Sequence, residues 1–188
     1  MSLKIRIASS IALAAALTLG ATGCSLIAAQ DTLIQYAPSD GVDANVNGVE
    51  VRNLMLVADE SGEQQNVVFT GINAGEKAQQ LTISFMADGQ QVATSEFEVP
   101  AGTTKFGDPE GEQTPVLVQI PEAKAGTLVD AYLSTPGSAE VQHRIPVLDG
   151  SLKEYRPYVL TAEQVAKFSG PAEKAADAKA GAESTPAN

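Results

Sequence analysis

The sequence predicts an all-β fold, an immunoglobulin-like antiparallel β-sandwich of about seven strands. Apolar and polar residues alternate in short runs between residues 47 and 158. Clusters of Gly, Asn, Asp and Pro separate these runs, and Asp88-Gly89 sits between two of them as a strong hairpin signal. Alternation with a period of two gives each strand one buried and one solvated face. Strands of this kind close most readily as two packed sheets, with a small barrel as the competing architecture.

Taken in order, Asn47-Gly48 opens a run in which Val49, Val51, Met55 and Val57 share one face. Val67-Val68-Phe69 and Ile72 form a second run, closed by Asn73-Ala74-Gly75. Leu81, Ile83 and Phe85 alternate with Thr82 and Ser84, and Val92 to Val99 follows the Asp-Gly turn. Val116, Val118 and Ile120 alternate before Pro121, and Val129, Ala131 and Leu133 before Pro136-Gly137. Val141, His143, Ile145 and Val147 make the last run. The β-domain is thus expected over 47–158. A short helix over 159–168 follows, with Thr161 and Gln164 spaced as a capping box. The 169–188 stretch holds no large apolar residue, which predicts a disordered tail.

The first residues read as an address. Lys4 and Arg6 precede Ile7 to Leu19, an uncharged stretch shorter than the ~20 residues a membrane-spanning helix needs. It suits the apolar core of a secretory signal. Gly20-Ala21-Thr22-Gly23 then leads into Cys24, the single Cys of the chain. Small residues before a lone Cys match a lipobox, so residues 1–23 are expected to be a lipoprotein signal peptide and Cys24 the lipidated residue. Several acyl chains on one residue give stable anchoring where a single chain is marginal. Residues 24–46 would be the lipidated Cys and a tether, rich in turn residues such as Pro38, Asp40 and Gly41. The location expected is the extracytoplasmic face of the cell membrane, with the lipid as the membrane contact.

Composition narrows the chemistry. The chain of 188 residues carries 12 Lys+Arg against 23 Asp+Glu, a net charge of −11. That excludes a sequence-independent grip on nucleic acid, which needs dense cationic side chains. One Cys and one His exclude a disulfide framework, a Cys-based zinc site and a multi-His metal site. The chain has no nucleotide-binding glycine motif, no metalloprotease motif and no nucleophile elbow. No catalytic residue, metal site or cofactor is expected. Copper(I), the soft metal to consider, would have Met55, Met86 and His143, with parity placing Met55 and His143 inward and Met86 on the other face. Asp108, Glu110 and Glu112 read as a solvated acidic turn, and Asp59 to Glu63 as a charged hairpin tip. Tyr155, Pro157 and Tyr158 are expected to pack the chain exit against the sandwich, a partner-binding patch being the other reading.

The lipobox, the run Val49 to Val57, the Ile72-Asn73-Ala74-Gly75 turn and the closing Arg144-Ile145-Pro146-Val147-Leu148-Asp149-Gly150 together resemble actinobacterial cell-envelope lipoproteins of unknown function. Some of that group are loosely similar to periplasmic PCuAC-type copper chaperones, which share a β-sandwich. Those chaperones bind copper through spaced His and Met residues ending in His-x-Met. Here Ile145 follows His143 where the Met would stand, and Ala44 and Gly75 stand where a first His would precede Met55 and Met86. The resemblance implies fold and location and transfers no copper ligand. The functional expectation is a non-enzymatic binding or accessory module with an envelope protein partner. The alternatives are an atypical copper(I)-binding protein or a hydrolase using His143.

Overall fold

A computed structural model describes residues 39–169. The signal segment, Cys24, the tether as far as residue 38, and the tail from 170 onward lie outside the described residues. The fold is an all-β sandwich of nine strands: β1 (Val42–Val46), β2 (Val49–Ala58), β3 (Gln65–Asn73), β4 (Gln79–Ala87), β5 (Gln90–Val99), β6 (Gly102–Phe106), β7 (Leu117–Val118), β8 (Leu128–Ser134) and β9 (Val141–Leu148). Among the described residues a helix, α1 (Ala162–Phe168), follows a 3-10 turn at Arg156–Tyr158. The Thr161–Gln164 capping box is formed. Among the described residues no helix is long and apolar enough to cross a membrane.

The main path runs β5-β4-β8-β9-β2-β3-β6, with β1 on β2 and β7 on β3. β9 joins the two halves. It pairs antiparallel with β8 from Val141 to Pro146, then runs parallel to β2 at Val147 and Leu148. All other pairings are antiparallel. Val49, Val51, Leu54, Leu56, Val67 and Phe69 from one sheet share a single core with Leu81, Ile83, Phe85, Leu133 and Ile145 from the other. At its centre Phe69 stacks on Phe106 with centroids 4.5 Å apart, and Phe97 stands edge-on to both. Such aromatic pairs add about 1 kcal/mol each beyond the area they bury.

Two strands arise where none was expected. Asn47-Gly48 is the turn of a β1–β2 hairpin, with φ of 45° and 88°, rather than the opening of the domain. Residues 42–46, assigned to the tether on composition, therefore belong to the sheet, with Ala44 and Val46 in the core. β6 is short and polar, and Phe106 alone marks it as core-facing. Conversely, the run 116–120 shrinks to the two residues of β7, because Gln119 and Ile120 turn away into a loop.

The larger correction concerns the parity of β2. Val49 and Val51 face the core as expected, but Asn53 adopts φ 55° and the pairing with β3 shifts register between Arg52 and Met55. A bulge adds one residue and reverses which side chains face inward. Leu54 and Leu56 then enter the core, while Met55 and Val57 turn to the outer face. Asn is suited to the bulge because it tolerates a left-handed backbone. Its N–H donates to Asp43 Oδ1 at 2.9 Å and its Oδ1 accepts from Gly41 N at 3.0 Å. A Cβ at Gly41 would lie 2.5 Å from the Asn53 backbone, so only Gly fits there.

Replacing Asn53 by Gly relieves the backbone and removes one hydrogen bond, and should cost about 1 kcal/mol. Asn53→Val places a β-branched residue at positive φ and should cost about 2–3 kcal/mol. Urea unfolding midpoints of the two variants check the order, and equal losses would show that the bulge backbone is not under constraint.

Candidate functional site

Two of the concavities among the described residues border the first sheet. One is a cleft of about 680 Å³ at the end of the sandwich, lined by Gly62 and Glu63 of the β2–β3 tip, Gln65, Val92 of β5, and residues 119–124. Both walls are built rigidly. The Asp59 carboxylate ties the tip by accepting from Ser61 Oγ, Glu63 N and Gln64 N. The Gln65 amide, fully buried, braces the far wall. Its Nε2 donates to the Ala123 carbonyl at 3.1 Å and its Oε1 accepts from Ile120 N at 3.2 Å. Glu122 on that wall has φ 63°. A non-glycine residue at positive φ costs free energy and persists only where its surroundings hold it.

The second concavity, about 360 Å³, lies on the outer face of the sheet between Met55, Val68, Thr70 and Lys105 and the chain exit at Glu154, Tyr155 and Tyr158. The bulge creates the need for that exit segment, because Met55, Val57 and Val68 form an apolar patch outside the main core. Tyr155, Tyr158, Val159 and Leu148 pack over it. Backbone and amide bonds then hold the strap. Asn66 Nδ2 donates to the carbonyls of Gly107 and Tyr158 at 2.7 and 3.0 Å, and Glu60 N donates to the Leu160 carbonyl at 3.1 Å. Leu160 is fully buried. The Tyr155 hydroxyl donates to Asp40, which joins the strap to the start of the described chain. That bond, then desolvation and the neighbouring carboxylate charges, push the Tyr155 phenol up to about 12.

The residues singled out from sequence are not brought together. Cys24 lies outside the described residues. Met55 is buried, but beneath the strap rather than in the main core, which corrects its expected orientation. Met86 is half-buried on the outer face of the second sheet, in register with Asp130. His143 is half-buried opposite Ala131, in step with the core-facing Ile145 and Val147. The three therefore occupy three different surfaces. Asp108 caps its own turn by accepting from Glu110 N at 3.0 Å. Among the described residues no group of three or more His, Cys, Asp or Glu side chains is arranged to hold a metal ion. Gln65, Val92 and Glu122, which shape the end cleft, carried no sequence signal beyond a polar residue ahead of an apolar run and a carboxylate after Pro121.

No family model matches the chain, and no curated protein matches it. Solved structures similar to it include the apo PmoF2 PCuAC domain, at 17% identity over 59% of this chain and 98% of that one, with a TM-score of 0.43. The copper-bound PCuAC domain from PmoF2 is similar at 13% identity over 57% and 98%, with a TM-score of 0.40. A Parabacteroides merdae β-glucuronidase with glycerol in its active site is similar at 12% identity over 53% of this chain and 14% of that one, with a TM-score of 0.34. The copper and the glycerol belong to those proteins.

Tyrosinate absorbance should show one phenol titrating near pH 12 and lost in Tyr155→Phe. Because the folded-state value lies above the ordinary 10.0, the stabilising contribution is complete below pH 10 and fades as pH rises toward 12. A wild-type titration with no late phenol would contradict the Tyr155–Asp40 bond. For copper, the spread of the three side chains predicts that replacing Met55 by Leu, Met86 by Leu and His143 by Gln changes Cu(I) affinity by less than about twofold, and a loss beyond about tenfold would reinstate a shared site.

Proposed function

We propose that the chain is a membrane-anchored extracytoplasmic lipoprotein whose β-sandwich serves as a non-enzymatic binding or accessory module of the cell envelope. The observation that carries the anchoring is the placement of the single Cys, Cys24, directly after a basic start, an apolar core and a run of small residues. A lipid there also removes the one thiol from an oxidising compartment. The acidic body is repelled by anionic headgroups, which leaves the acyl chains as the membrane contact and frees the domain surface for other partners.

The module reading is supported by the way the domain is built. Its end cleft is framed by a buried amide and a tied hairpin tip, which suits recognition by a preformed surface. An envelope protein is the partner class we propose. The copper(I) alternative has less support, since Met55, Met86 and His143 lie on separate surfaces.

Cys24→Ala should abolish acylation, so that a labelled fatty acid is incorporated into the wild-type protein and not into the variant. Mass spectrometry of the wild-type protein should find a chain that begins at an acylated Cys24. An unmodified thiol on an uncleaved leader would refute the anchor.

A further inference from the structure

The free edge of the second sheet carries a further assignment. β5 is ten residues long and, among the described residues, pairs with β4 alone, so its other side is there an unpaired row of backbone donors and acceptors. Natural edges are blunted with charged side chains, Lys above all, with Pro, or with bulges that twist the strand away, and the bulge in β5 lies only near its start, at Val92. β5 has neither Lys nor Pro, and its buried positions are Ser95, Phe97 and Val99. The opposite edge, β6, is half as long and carries Gly102 and Lys105. Among the residues that β5 presents to solvent, Thr94, Glu96 and Glu98 share one face, and the Glu96 carboxylate accepts from Gln80 Nε2 at 2.9 Å.

The other end of the strand meets the end cleft. Pairing with β4 shifts register between Phe85 and Met86, which leaves Val92 without a partner opposite. A bulge of this kind re-aims a side chain, and Val92 is 38% exposed and lines the cleft. The cleft adds the carboxylates of Glu63 and Glu122, partly offset by Lys124.

The geometry points to β5 as a docking edge for an extended cationic polypeptide segment of an envelope partner, which adds as a strand along residues 93–98 and sends its end into the cleft beside Val92. Backbone pairing supplies affinity, and alternate side chains supply selectivity. Charge complementarity selects the occupant. Glu96 and Glu98 meet Lys or Arg at alternate positions of the added strand, and opposite charges across strands are favourable. A second copy of this chain, net charge −11, is disfavoured by the same charges. This assignment rests on the binding-module reading and is independent of Cys24.

The test uses the full chain in detergent micelles and a ten-residue peptide of alternating Lys and Val. The peptide should bind and slow amide exchange across residues 93–98. Glu96→Lys with Glu98→Lys should weaken it at least about tenfold and admit an alternating Glu–Val peptide instead. N-methylation of alternate amides along one peptide edge should abolish binding with charge unchanged. Equal binding of the methylated peptide, or of one with its lysines clustered, would reduce the effect to diffuse electrostatics and overturn the assignment. Protection of β5 that grows with protein concentration alone would place a second copy there and overturn it too. A protein that is anchored through Cys24 yet binds no peptide refutes the docking edge and leaves the anchor standing.

Discussion

The bulge at Asn53 is the constraint on which the rest of the structure depends. It lets a single strand serve two apolar surfaces in succession. Before the bulge, β2 sends Val49 and Val51 to the core and Glu50 and Arg52 outward. After it, Leu54 and Leu56 face the core and Met55 and Val57 face out. An apolar patch on the outside of a sheet must be covered, since each buried side chain of this size contributes about 1.5–3 kcal/mol. The residues after β9 do this, and their course follows from the patch they cover. β9 makes it possible by leaving β8 and joining β2 at Val147, which delivers the chain to the right face.

That division of surfaces bears on function. The outer face of the first sheet is occupied by the strap from Asp149 to Leu160, pinned at Asn66, Glu60 and Asp40. Among the described residues the second sheet has no such cover, and its β5 edge and the adjoining cleft are open there. The strap also ties Asp40, where the described chain begins, to the chain exit at Tyr155.

Much of this was legible in the sequence. Alternation located seven of the nine strands, Asp88-Gly89 marked its hairpin, and Thr161 and Gln164 marked the helix start. β1 was missed because its flanking turn residues outweighed a five-residue strand, although Asn47-Gly48 between two short runs is itself a hairpin signal. The parity of β2 was misread for a related reason. Leu54-Met55-Leu56-Val57-Ala58 is a continuous apolar run, the mark of a strand buried on both faces, and forcing alternation through it hid the bulge. The cleft could not be read at all. It depends on the Gln65 amide reaching residues 55 and 58 positions away in the chain, which no local pattern encodes.

Oxidation of Met55 and Met86 by dilute hydrogen peroxide tests this arrangement most directly, because the two side chains are chemically identical and differ in what covers them. Met86 lies half-buried on an open sheet face, and Met55 sits beneath the strap at 1% exposure. Peptide mapping of the native protein should find Met86 converted to the sulfoxide well before Met55. Equal rates at the two sites, or faster reaction at Met55, would mean that the strap does not cover the outer face and that the bulge does not direct Met55 beneath it.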